Sequence, residues 1–146
     1  MEFNGNFEVK AERHSVFSFI SDIDKIISVI PDVQSAERVN DSSSRLVVKA
    51  GQSVIKGKFN LFLEIRNKVE DRSVEISAKG SGTSGSIDLR AIYNFSDSPS
   101  GSTIVQWNVV LSIGGMVATM GSRIINSTAD RYISVLTDSF RKAFEK

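Results

Sequence analysis

Alternate residues of the opening stretch MEFNGNFEVK are apolar or small: Phe3, Gly5, Phe7 and Val9 interleave with Glu2, Asn4, Asn6 and Glu8. A period of two is the mark of a strand with one buried and one wet face. From His14 the spacing changes. Val16, Phe17, Ile20, Ile23, Ile26, Ile27 and Val29 recur at helical intervals, which predicts two short helices with Asp22 and Asp24 as turn or cap residues between them and Pro31 as the stop. The segments VQSAERV, SRLVVKAG, VIKGKFNLFLEI, SVEISAKG, SIDLRAIYNF and STIVQWNVVLSI then read as strands, with turn-rich NDSS, NKVEDR, GSGTSG and SDSPSGS among them. In the third of these strands Ile55, Gly57, Phe59, Leu61, Leu63 and Ile65 share one face, and Lys56, Lys58, Asn60, Glu64 and Arg66 the other. From about Gly115 onward the period becomes helical again. Ala118, Gly121, Ser122, Ile125, Ala129, Tyr132, Leu136, Phe140 and Ala143 form one stripe of a long amphipathic helix. Strand, two short helices, six strands and a long helix predict an α+β fold in which a strongly curved antiparallel sheet of about seven strands wraps the last helix.

Composition narrows the function classes. A chain of 146 residues is long enough for one domain, expected over residues 1–146, with a core that needs no staples. Eighteen Lys and Arg against 17 Asp and Glu leave a formal charge of +1, so no nucleic-acid partner is expected. The absence of cysteine excludes disulfides, thiolate catalysis and cysteine-ligated metals, and His14 as sole imidazole excludes histidine-rich metal sites. The N-terminus lacks the basic and apolar regions of a signal peptide, and no apolar run reaches spanning length. A cytoplasmic protein is expected, with any membrane contact peripheral.

GSGTSG, residues 80 to 85, matches the G-x-G-x-x-G pattern of dinucleotide-binding loops, yet the residues after it alternate as a strand. That pattern needs a helix at this point, because the helix N-terminus holds the pyrophosphate. A flexible hairpin connection at a pocket rim is the expectation instead.

Five stretches in order carry a family resemblance: MEFNGNFEV, IPDVQSAERV, IKGKFNLFLEI, GSGTSG and GGMVATMGSRIINSTADR. With the order of elements, they resemble the helix-grip fold of the START and Bet v 1-like superfamily and, within it, the CoxG-like branch, whose namesake is the G subunit of carbon monoxide dehydrogenase. The resemblance implies a hydrophobic cavity between sheet and long helix. It also implies a non-enzymatic accessory protein, without a cofactor of its own, that links a molybdenum hydroxylase of the carbon monoxide dehydrogenase type to the membrane and its quinone pool. One departure is AERHSVF, which lacks the proline usual after the alanine and has Phe17 near the usual aromatic position.

The expected cavity walls are Phe59, Leu61, Leu63, Ile76, Leu89, Tyr93, Trp107 and Val109 from the strands, with Ala118, Gly121, Ile125, Ala129 and Tyr132 from the helix. Small residues opposite a concave sheet mean either close packing or a void, and the residues alone leave both open. Tyr93 and Trp107 are the polar handles in an otherwise apolar lining. Met116, Met120 and Ile124, at i, i+4 and i+8 after Gly114 and Gly115, read as a membrane-dipping or partner-binding tip, or as a surface covered by the 31–34 loop. Gly114 and Gly115 suit a sharp corner or a gate. Lys49, Lys56, Lys58 and Arg66 form an outward basic row, a solvated face or a contact for anionic lipid.

Catalytic readings are weaker. His14 lies near a helix start beside Arg13 and Ser15 and reads as exposed; Asp22 and Asp24 read as caps; Asp130 and Arg131 point apart on a helix. No nucleophile-base pair is visible. A cyclase or hydrolase acting in the same cavity and an adaptor with a filled core are the rival readings.

Overall fold

The computed structural model describes residues 1–50 and 57–144, so Ile55 and Lys56 lie outside the described residues. Strands β1 (Glu2–Val9), β2 (Val33–Asn40), β3 (Ser43–Ala50), β4 (Gly57–Val69), β5 (Ser73–Gly82), β6 (Gly85–Asp97) and β7 (Thr103–Gly114) form one curved sheet in the order β1-β7-β6-β5-β4-β3-β2. Every pairing is antiparallel. Strands β2 to β7 form a meander because each connection is too short for a crossover. Among the described residues only β1 pairs out of sequence, placing Phe7 beside Val105 and Gly5 beside Trp107.

Helices α1 (Arg13–Ile20) and α2 (Ile23–Val29) lie in the connection between the two edge strands. The side chain of Asp22 accepts hydrogen bonds from the Asp24 and Lys25 amides at 3.0 and 3.1 Å, which starts α2 as the sequence predicts. Val16, Ile20, Ile23 and Ile26 bury the inner faces of both helices against Val9, Leu63, Ile65, Val74, Phe95 and Val105. That packing fills one half of the concave face. Full burial of one such aliphatic side chain is worth about 1.5–3 kcal/mol.

The final helix begins later than its periodicity implies. Gly115–Met120 is a 3-10 segment, Gly121 has φ 88°, and α3 runs from Ser122 to Lys142. Only glycine takes that backbone cheaply, so the helical direction breaks there. Consequently Met116 and Met120 sit on a different element from Ile124. The backbone of α3 neighbours those of α2 and the 3-10 segment. Long side chains carry its contact with the sheet. Phe140 is edge-on to Phe7 at 5.5 Å and to Phe19 at 5.2 Å, with Phe144 at 5.4 Å and the Arg141 guanidinium over the Phe7 ring at 5.6 Å.

Candidate ligand-binding site

The inward face of β5 thins along its length. Val74 and Ile76 are large, Ala78 is small, and Gly80 and Gly82 carry no side chain. Their register partners on β4 are Leu61 for Gly80 and Phe59 for Gly82. A Cβ at Gly80 would run into the Asn60 carbonyl and one at Gly82 into the Lys58 carbonyl, so β4 and β5 approach closely only because both positions are bare. The turn between β5 and β6 is a two-residue hairpin, Thr83-Ser84, closed by the pair Gly82 and Gly85. GSGTSG is thus the hairpin connection expected, drawn tight, with Gly80 and Gly82 inside β5. The strand after it agrees with the rejection of a dinucleotide loop.

Along α3 the same asymmetry appears. Phe140 is buried at the C-terminal end; Leu136, Tyr132 and Ala129 are half-buried; Ile125 is buried near the N-terminal end. Ala118 and Gly121 are exposed, because they belong to the 3-10 segment and the break after it, and nothing lies within 4 Å of a Cβ built on Gly121. Of the strand residues, Phe59, Leu63, Ile76 and Val109 are buried, whereas Leu61, Leu89, Tyr93 and Trp107 keep part of their surface accessible. Leu63 and Ile76 belong to the packed cluster under α1 and α2. Of the half-accessible four, Leu61 and Leu89 pair with Gly80 and Ala78, whereas Tyr93 pairs with Val74 and packs with Trp107 against the same cluster.

Tyr93 and Trp107 are direct cross-strand partners on β6 and β7. Trp107 lies across Gly5 of β1, where a Cβ would come within 2.6 Å of Cζ2. Tyr93 is partly accessible, yet the surrounding protein desolvates its phenol and pushes its pKa up to about 12. Tyr93 packs against the core cluster, which accounts for the desolvation. On the helix side, Tyr132 donates to Asp32 Oδ2 at 3.0 Å, and burial, then that hydrogen bond, pushes its pKa up to about 12. Asp32 has left-handed backbone with φ 65°, and its carbonyl accepts from the Lys49 amide at 3.0 Å. The 31–34 segment is therefore tied between β3 and α3. It leaves Met116 69% exposed and Ile124 37% exposed, with Met120 half-buried.

Two features lie away from this face. An open hollow of about 340 Å³ is lined by Lys79, Ser86, Ile87, Asp88, Ser112, Ile113 and Gly114, mostly from the outward side of β5 to β7. At the surface of α1, His14 Nδ1 meets Asp71 Oδ1 at 2.7 Å while Nε2 lies 3.4 Å from Ser18 Oγ. A Ser-His-Asp connection is thus present that spacing in the sequence did not reveal, because Asp71 comes from the β4–β5 turn. Ser18 lies inside α1, where the amides that would stabilise an oxyanion are spent on helix hydrogen bonds. Asp71, first through its hydrogen bond and then through its charge, raises the His14 pKa; Glu70 adds to this. His14, Glu70 and Asp71 bring ligand-capable atoms within 4.8 Å of one another, at the surface and apart from the concave face.

The sequence matches the family model for CoxG, the G subunit of carbon monoxide dehydrogenase, over residues 5–144. The chain belongs to the CoxG family. No curated protein matches it significantly. Among solved structures, it is similar to a conserved protein from Geobacillus kaustophilus (TM-score 0.91, 20% identity, 99% of this chain and 95% of that one). A START superfamily protein from Mycobacterium smegmatis matches with TM-score 0.74 and 16% identity over 99% and 97% of the two chains. Ara h 8.0201 matches with TM-score 0.68 and 12% identity over 99% and 97%. At these identities the likeness is one of fold: this CoxG-family chain has the START and Bet v 1-like helix-grip architecture. Among the described residues no helix is long and apolar enough to cross a membrane.

Proposed function

We propose that this CoxG-family chain holds an apolar small molecule or lipid, a quinone first among candidates, between the thin half of the sheet and the N-terminal half of α3. In this reading it serves a carbon monoxide dehydrogenase-type molybdenum hydroxylase as a non-enzymatic partner at the membrane face. The observation that carries the reading is the loss of side-chain volume along the concave face of β5, from Ile76 through Ala78 to Gly80 and Gly82. Around that gap Leu61, Leu89, Ala129 and Tyr132 remain half-accessible, the condition of a wall awaiting an occupant. Covering such a wall gains about 25 cal/mol for each Å² of apolar surface removed from water. Exposed Met116 and Ile124, beside Gly114 and Gly115 at the same end, support a tip that meets a bilayer or the partner enzyme.

The test is gentle purification, solvent extraction and mass analysis of the extract, with thermal melting in the presence of added quinone. An apolar molecule in near-stoichiometric amount, or a rise in melting temperature, is expected. An empty extract together with an unchanged melting temperature overturns the ligand reading. Flotation with anionic vesicles tests the tip: Met116→Asp is expected to reduce flotation, and equal flotation of variant and parent removes the membrane role from this segment.

A further inference from the structure

One cluster of ligand-capable side chains stands apart from the concave face. His14 lies in the first turn of α1, and Glu70 and Asp71 sit in the turn between β4 and β5. That turn is held in place: the Arg72 amide donates to the Val69 carbonyl at 2.9 Å, and the Phe95 amide of β6 donates to the Arg72 carbonyl at 2.8 Å. Phe17 of α1 meets Phe95 edge-on at 6.0 Å, so the core beneath brings helix and turn together. As a result one nitrogen of His14 and one carboxylate oxygen each from Glu70 and Asp71 lie within 4.8 Å of one another. In a tetrahedral zinc site with bonds of about 2.0–2.2 Å, neighbouring donor atoms stand about 3.3–3.5 Å apart. The His14–Asp71 distance of 2.7 Å needs only to widen slightly and Glu70 to swing in. His14 and Glu70 are exposed, so neither movement disturbs the core.

We infer that His14, Glu70 and Asp71 form a surface site for a divalent transition-metal ion of the zinc class, which ties α1 to the β4–β5 turn. This site is independent of the concave face and of any ligand held there. One imidazole with two carboxylates is a donor set that suits zinc and leaves a fourth position for water. An ordinary acidic patch lacks the nitrogen, and the nitrogen decides the class of ion. The ring is also turned the right way: Nδ1 faces Asp71, while Nε2 lies 3.4 Å from Ser18 Oγ. With a metal on Nδ1 the ring proton sits on Nε2 and is donated to Ser18, an outer partner of the kind that orients metal-bound imidazoles. Charge agrees with this geometry. Glu12 adds to the negative field at His14, and the neighbouring Arg13 is turned away to Asp97 at 3.4 Å. Calcium and magnesium favour all-oxygen shells and gain less from such a set.

With no cysteine and no second histidine in the chain, no other soft ligand competes for the ion, and the imidazole resonances report this position alone. The probe is zinc chloride, titrated by calorimetry into the untagged full chain, with the same additions followed by nuclear magnetic resonance. Binding of one ion per chain is expected, with a shift of the His14 ring signals and a rise in melting temperature, because an ion bound only by the folded chain stabilises it. Glu70→Gln keeps the His14–Asp71 hydrogen bond and removes one ligand. It is expected to weaken zinc about tenfold or more, since even outer partners of a metal site are worth about 10–100-fold. Asp71→Asn, which suits the left-handed backbone there (φ 60°), is expected to do the same. Glu12→Gln removes an equal charge outside the ligand set and is expected to cost about threefold or less, the weight of one exposed charge. Absence of binding, His14 signals that stay in place, or calcium binding as tightly as zinc each overturns the inference. So does a Glu70→Gln loss no greater than that of Glu12→Gln.

Discussion

The two halves of the concave face are built from the same strands and contrast in how they are filled. Toward the C-terminal end of α3, Phe140 meets Phe7, Phe19 and Phe144, and the inner faces of α1 and α2 close over Phe95, Val74 and Ile65. Toward the N-terminal end, β5 offers Ala78, Gly80 and Gly82, and the helix offers Ala129 and a lone buried Ile125. The first half is a core in the ordinary sense, with large side chains from three directions. In the second, small residues and half-covered apolar side chains replace the large ones. Under the proposed reading, stability and binding are separated along one helix, the aromatic end holding the fold and the other end taking the guest.

The strongest way to break that contrast is to truncate one residue from each half. Phe140→Ala removes an aromatic buried among three others and is expected to cost about 3–5 kcal/mol. Leu89→Ala, from a half-accessible position, is expected to cost less than about 2 kcal/mol. Chemical denaturation measures both. Equal losses would mean that the second half is packed as tightly as the first.

A smaller effect sharpens the boundary between the halves. Gly5→Ala places a methyl where the Trp107 ring lies, so the indole must move, at a cost of about 1–3 kcal/mol from overpacking. The displaced ring should also emit at longer wavelength as it leaves its cover. An unchanged emission maximum and melting temperature would show that the ring has room to spare there.

The smallest expected effect belongs to the filled half's outer edge, where His14 clasps α1 to the β4–β5 turn through Asp71. Hydrogen bonding to Asp71 raises the His14 pKa above its ordinary 6.5. The clasp therefore contributes fully below the unfolded value and is lost as pH rises through the raised folded value. Nuclear magnetic resonance titration of the single histidine should show the pKa dropping in Asp71→Asn. A pKa that does not move would remove the clasp.

Strand and helix types were legible because each side chain reports locally on its face, and Asp22 was legible as a cap because capping spans only a few residues. The inward faces were legible for the same reason: alternation places Leu61, Leu89, Tyr93 and Trp107 on one side of their strands. Alternation also holds a subtler signal, the shrinking series Ile76, Ala78, Gly80, Gly82 along one face of β5. The beginning of α3 was not legible, since a stripe through Ala118 and Gly121 fits helical spacing whether or not the backbone turns at Gly121. Asp71 beside His14 was invisible, being 57 positions away in the chain.

By itself the sequence determined the order of elements, the two faces of each strand and the family, because those depend on spacing and on short stretches of residue identity. Only the tertiary structure decided which of the inward residues touch one another. It set Phe140 in the aromatic end, laid Trp107 on Gly5 beside Tyr93, and brought β4 close to β5 at Gly80 and Gly82. Those are facts of register and of the distance between layers, and chain spacing carries neither until the sheet has curved and the helix has been gripped.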